Sequence, residues 1–213
     1  LADFIHGLGL KFGIHVMPGI SKWAVERNTP IPGSSARARD IAHPTRKNHL
    51  WPDGLPFVDM SQPGGQEYYD SLFKLYAEWG VDFVKADGIG NYDPDQVEAF
   101  DWARQRCGRE MVLSLSSGCP DHSTYRRHRR EHCEMWRISE DFWDRWPQLE
   151  MAFYNFLAWQ DFIGPGHWAD GDMLPLGRIG ARQHPDNAPD RMTRFSRYEQ
   201  TCLMTLFSIV QSP

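Results

Sequence analysis

The stretch YYDSLFKLYAEWGVDFVKADG, residues 68–88, decides how the chain folds. Over 68–79 its apolar and aromatic residues recur at helical spacing, and Gly80 then stops the helix. Residues 81–86 follow as a compact, mostly apolar strand that runs straight into Asp87. The same helix-into-strand unit recurs on both sides. Upstream, LADFIHGLGLKFGIHV (1–16) reads as the end of a helix passing into a strand at 11–16. Downstream come a helix at 95–106, with Asp93 or Asp95 as its cap, and a strand at 111–115. A polar helix at 122–132, a strand at 134–138, a helix at 146–162, a short strand at 166–169 and a helix at 194–210 complete the series.

Alternation of this kind means parallel strands joined by crossover helices. A barrel closes with eight such strands in about 250 residues. The expected fold class is therefore α/β, a (β/α)8 TIM barrel that is incomplete in this chain, covering about strands 3 to 7 or 8. Both ends read as cut, with two strands expected before Leu1 and one at or beyond Pro213. The alternative, a doubly wound open sheet, would be favoured by a GxGxxG loop after a strand, and none is present. Residues 1–213 are expected to form one partial catalytic barrel domain. Its one long insertion, about 19–63, is rich in Pro, Gly, Ser and Arg. It leaves the C-terminal end of a strand, the active-site face of a barrel.

Composition removes several function classes. A formal net charge of −5 argues against a general nucleic-acid binder, which is usually basic. No apolar run is long enough to cross a bilayer. The four cysteines, Cys107, Cys119, Cys133 and Cys202, form no CxxC pair, so they read as buried thiols, with a Cys119–Cys133 disulfide as the alternative. Cys119, His122, His128, His132 and Cys133 are metal-binding residue types, but their spacing fits no standard zinc pattern. Four interleaved arginines (Arg126, Arg127, Arg129, Arg130) favour a solvated helix face.

The strand ends carry the chemistry. The first ends at His15, the second at Lys85 and Asp87, and the fourth runs through Trp136 and Arg137 to Asp141. The fifth enters Trp168, Asp170 and Asp172. In a barrel these ends converge on one mouth. Retaining glycosidases need two carboxyl groups about 5–5.5 Å apart, one ionised to attack the anomeric carbon and one protonated to assist the leaving oxygen. Lys85, two residues before Asp87, shares its strand face and is a candidate to keep it ionised.

At these residues the chain resembles the melibiase family, glycoside hydrolase family 27, which contains α-galactosidases and α-N-acetylgalactosaminidases. HGLGLKFGIH (6–15) resembles the segment entering the family's third strand, and WGVDFVKADG (79–88) its fourth. MWRISEDFWDRW (135–146) resembles the pattern W-R-x-x-x-D-x-x-D-x-W, and HWADGDML (167–174) the pattern W-x-D-x-D-M-L. The resemblance implies Asp87 as nucleophile and Asp141 as general acid/base. It also implies Lys85, Arg137, Asp172, Ser116 and His15 as sugar-binding residues, with Trp136 and Trp168 as wall residues or core. No metal and no organic cofactor are implied. The implied partner is an oligosaccharide or glycoconjugate, with no nucleic acid or membrane, and the implied location is extracytoplasmic. Ile89 and Leu115 stand where many members carry a disulfide-joined pair, and His15 where a Tyr is common. Ser116 and Ser117 stand where many α-galactosidases have an acidic sugar ligand, and a small hydroxyl there resembles the N-acetylgalactosaminidase solution.

The expected activity is thus retaining hydrolysis of terminal α-galactosides through a covalent glycosyl-enzyme. An α-N-acetylgalactosaminidase, a β-L-arabinopyranosidase and a non-catalytic sugar-binding barrel are the alternatives. A metal-dependent amidohydrolase barrel would need His at the strand ends where Ser116 and Arg137 stand. A Schiff-base aldolase would need a desolvated Lys rather than Lys85 beside an Asp.

Overall fold

In the computed structural model, residues 1–48, 54–89, 93–116, 123–179 and 190–213 are described. Helix α1 (Ala2–Gly7) leads into strand β1 (Gly13–Val16). Two short helices, α2 (Lys22–Arg27) and α3 (Ala38–Ile41), and two strands, β2 (Ala42–Asn48) and β3 (Leu55–Val58), come next. The β/α series then runs α4 (Gly65–Glu78), β4 (Phe83–Asp87), α5 (Pro94–Arg106), β5 (Val112–Ser116), α6 (Ser123–His132), β6 (Met135–Arg137), α7 (Trp146–Trp159) and β7 (Trp168–Asp170). A small antiparallel pair, β8 (Arg178–Ile179) and β9 (Arg191–Met192), precedes α8 (Arg197–Val210).

Strands β1, β4, β5, β6 and β7 pair in that order, all parallel, as the sequence predicts. Val84, Ala86, Leu113, Leu115 and Trp136 are buried on the side that meets the helices. Their neighbours in sequence form the other face, in register rows across the sheet. Rows of parallel partners point the same way. Lys85 lies level with His15 and Ser114, Asp87 with Ser116, and Arg137 with Asp170.

Between α4 and α5 the rings of Tyr69, Phe73 and Phe100 meet edge-on at 4.7 and 5.3 Å between centroids. Full burial of each such ring contributes roughly 1.5–3 kcal/mol. The Tyr69 hydroxyl donates to Gln96 Oε1 (2.6 Å), whose amide nitrogen donates to the Val58 carbonyl (2.8 Å). This buried polar chain ties β3 to both helices. At the opposite end of the sheet, Asp82 accepts from His6, the Phe12 N–H and Arg109. Burial alone would raise its pKa, but these three bonds outweigh it and hold the carboxyl well below its usual range.

The described residues of the 19–63 segment hold more regular structure than its lack of periodicity suggests. They form α2, α3 and the β2–β3 hairpin, with Ile20, Ile31, Ile41, Phe57 and Val58 in the core. Each element is too short to write a period, and Pro44 and Pro56 interrupt the alternation. Arg46 clamps the hairpin to the start of α5 through Asp93 (2.6 Å) and Asp95 (3.0 Å). The β8–β9 pair likewise has no signature in the sequence. It is anchored by Asp144, whose carboxylate has no exposed side-chain surface. Arg191 grips it with two nitrogens and the Arg194 N–H adds a third bond.

The bonds from Arg191, against an opposing burial effect, pull the Asp144 pKa down from 3.8 to about 2. A depressed carboxylate pKa gives stability that is present above 3.8 and is lost as pH falls through 2. Asp144→Ala is expected to destabilise the fold, since it removes three bonds that tie β9 and the segment after it to a buried carboxylate. The midpoint of denaturant unfolding of the full-length protein at neutral pH measures this. Asp144→Asn should also flatten the loss of stability on acidification from pH 3.8 to 2. An unchanged midpoint in both variants would remove Asp144 as an anchor.

Candidate active site

The C-terminal ends of the parallel strands bring five of the expected polar residues into two bonded groups. In the first, His15 Nε2 lies 2.9 Å from Asp87 Oδ2, and the Gly88 N–H donates to Asp87 Oδ1 (2.9 Å). In the second, Arg137 donates to Asp141 Oδ1 (2.9 Å) and to Asp172 Oδ1 (3.4 Å). The Asp172 side chain is buried, whereas that of Asp141 is 65% exposed, so it can reach a ligand from the rim.

Local backbone geometry supports this arrangement. Asp172 has φ +76, a left-handed conformation that is rare outside glycine. Two bonds hold it there. Its N–H donates to Asp170 Oδ1 (2.7 Å), and its Oδ2 accepts from the Phe142 N–H (2.7 Å). Strained polar residues held this way cluster at functional sites. Between them, Gly171 lies so close to α7 and α8 that a Cβ would sit 2.6 Å from the Phe207 ring. Burial raises the Asp170 pKa, opposed by the Asp172 N–H and the charge of Lys85.

Several sequence-predicted residues differ in detail. Lys85 is the partner that the sequence suggests for Asp87, but among the described residues the side chain bonded to the Asp87 carboxylate is His15, and the charge of Lys85 bears on Asp170. Ser116 lies level with Asp87, buried, with its Oγ unpartnered among the described residues. Trp168 lies one row deeper than Ala169 and two deeper than Asp170, level with Met135. Of the two readings open for Trp136, wall or core, the structure selects core. It is fully buried, and its ring packs on Trp159 of α7 at 5.3 Å, on the helix side of the sheet. The cause is alternation, since Arg137 faces the other way.

Ser117, Cys119 and His122 lie outside the described residues, but Cys133 carries a free thiol that donates to the Arg129 carbonyl, so the Cys119–Cys133 disulfide given as the alternative is not formed. Cys133 is a free, buried thiol whose pKa burial raises. Ile89 and Leu115 are both fully buried, so apolar packing occupies those two positions.

One residue escapes a reading of the sequence. Asn48, at the end of β2, donates to the Asp87 carbonyl (3.4 Å) and sits over Gly88, where a Cβ would come within 2.5 Å of its amide. Gly88 has φ +72, so this close approach and the turn after Asp87 both require glycine. No periodic signal marks Asn48. A structured hairpin at that strand end is the only route to it.

Residues 33–205 match the family of alpha galactosidase A, Melibiase_2. The chain belongs to the melibiase family. This melibiase chain is 48% identical to a GH27 β-L-arabinopyranosidase from Geobacillus stearothermophilus, solved in complex with arabinose. The match has a TM-score of 0.91 and covers 100% of this chain and 50% of that one. It is 29% identical to human alpha-galactosidase A, over 100% of this chain and 41% of that protein. It is 32% identical to mouse alpha-N-acetylgalactosaminidase, over 84% of this chain and 38% of that protein. The melibiase chain thus spans about half the length of the solved relative and less of the other two. The five-stranded parallel sheet is accordingly part of a TIM barrel. Among the described residues, no helix is long and apolar enough to cross a membrane.

Proposed function

We propose that the full-length protein is a retaining glycoside hydrolase that removes a terminal galactose-configured sugar. Asp87 attacks the anomeric carbon, and Asp141 protonates the departing oxygen and then deprotonates the incoming water. The observation that carries this reading is the pair of bonded groups at one end of the parallel sheet: Asp87 with His15, and Asp141 with Arg137 and Asp172. His15 orients one carboxylate. Arg137 spans the other carboxylate and Asp172, so a single guanidinium sets both. Lys85, Ser116 and Asp172 are the remaining candidates for ring hydroxyls. The substrate is an oligosaccharide or glycoconjugate bearing an α-D-galactosyl end.

A second reading concerns the sugar. The 48% identity to a β-L-arabinopyranosidase favours a β-L-arabinopyranosyl substrate. That sugar has the ring configuration of α-D-galactopyranose without its hydroxymethyl group, so the same carboxylates serve both. An N-acetylgalactosamine end is the third option, for which the small Ser116 leaves room.

The test is turnover by the full-length protein of the nitrophenyl α-D-galactopyranoside, β-L-arabinopyranoside and α-N-acetylgalactosaminide, with the first-formed product anomer followed by NMR. Retention of configuration with one of these is expected. Inversion would overturn the double-displacement mechanism, and no turnover of any would favour a non-catalytic sugar-binding barrel. The ratio of kcat/KM among the three selects the sugar.

A further inference from the structure

We infer that the outer helical layer carries a binding site for one divalent transition-metal ion, built from Glu98 of α5 and His128 and His132 of α6. Each of these residues offers a ligand atom within 4.8 Å of the other two. His128 Nε2 already lies 3.1 Å from Glu98 Oε1, and the two imidazole rings are 4.5 Å apart. Two ligand atoms bound to one zinc ion at ordinary lengths and a tetrahedral angle lie roughly 3.4 Å apart, so small side-chain shifts suffice. The spacing His-x-x-x-His puts both rings on one helix face, and the neighbouring helix supplies the carboxylate.

The surroundings suit a cation. His132 Nδ1 lies 3.0 Å from Asp101 Oδ2, which fixes the ring and leaves Nε2 for a metal. Asp101 is in turn gripped by Arg104 at 2.6 Å, the buried carboxylate support that metal-binding histidines use. Arg104 also reaches Glu134 at 2.7 Å, so its charge is shared between two carboxylates. Three of the four arginines of α6, which in sequence argue for a solvated face, bond elsewhere. Arg126 donates to the Ala158 carbonyl and lies 5.6 Å over the Trp159 ring, while Arg130 reaches the Asp161 carbonyl. Arg129 is buried toward the sheet, where it donates to the Arg137 carbonyl. Helical geometry thus separates two residue sets that interleave in sequence.

Two imidazoles and one carboxylate select zinc and its neighbours over magnesium or calcium, which prefer all-oxygen sites. The ion would staple α5 to α6, with water in its fourth position. This inference is independent of the proposed glycosidase activity, because the cluster lies on helices rather than strand ends.

The experiment is titration of the metal-stripped full-length protein with zinc chloride by calorimetry, beside cobalt(II) absorption. The wild type should bind zinc and show the visible ligand-field bands of four- or five-coordinate cobalt. His128→Ala, His132→Ala and Glu98→Gln should each weaken zinc binding at this site by at least roughly 10-fold and remove those bands. Far-UV circular dichroism confirms folding. Glu98 is the most exposed of the three, so Glu98→Gln decides the matter if a histidine variant unfolds. Equal zinc affinity in wild type and all folded variants, or no zinc binding by the wild type, overturns the inference.

Discussion

Asp87→Ala in the full-length protein is expected to lower kcat/KM on an aryl glycoside by roughly 10⁴-fold or more, the scale on which removal of an enzymatic nucleophile acts. The reason is chemical rather than structural. Asp87 sits at the end of β4, with one carboxylate oxygen bonded to the Gly88 N–H and the other facing His15. Its side chain is 25% exposed, so a truncation removes an attacking oxygen without opening a core. Added azide should enter the vacated space and attack the anomeric carbon. With Asp141 still able to protonate the leaving group, the product is a glycosyl azide of inverted configuration. Near-normal activity of Asp87→Ala would move the nucleophile elsewhere, with Asp170 and Asp172 the carboxylates next in line at the end of β7.

Asp141→Ala should behave differently. General acid–base assistance contributes about 10²–10⁴-fold, and it matters most when the departing group is a poor one. The variant should therefore lose most of its kcat on an alkyl or oligosaccharide glycoside. It should retain far more glycosylation rate on a dinitrophenyl glycoside, whose leaving group departs without a proton. Azide should now give a product of retained configuration, because Asp87 still forms the covalent intermediate and azide replaces water in the second step. Equal loss on both leaving groups would assign Asp141 to positioning alone. Its contact with Arg137 makes that alternative concrete, since a carboxylate held at 2.9 Å from a guanidinium also orients that arginine.

Much of the site is legible in the sequence because its residues lie within short motifs at strand ends. The segment after β6 delivers Arg137 and Asp141 four residues apart, and β7 runs directly into Asp170 and Asp172. Sequence fails where a role depends on which face of the sheet a residue takes or on contacts between distant segments. Trp136 beside Arg137 reads as wall or core alike, and only the sheet's period-two alternation sends its ring to the helix layer. Asn48 reaches Gly88 from far upstream, through a hairpin with no periodic signal. Arg191 finds Asp144 across 47 residues in the same way.

The order of helices and strands, the parallel sense of the sheet and the carboxylates at its strand ends follow from local pattern. Hydrophobic period and turn residues act over a few positions, and they are written in the chain itself. Tertiary structure alone decided the partners. It put His15 rather than Lys85 on Asp87, and it set Arg137 between Asp141 and Asp172. It also gave three of the four arginines of α6 partners other than His128 and His132. The physical reason is that a hydrogen bond depends on positions within a few ångströms in space, and strand pairing and helix packing bring together residues that the sequence holds far apart.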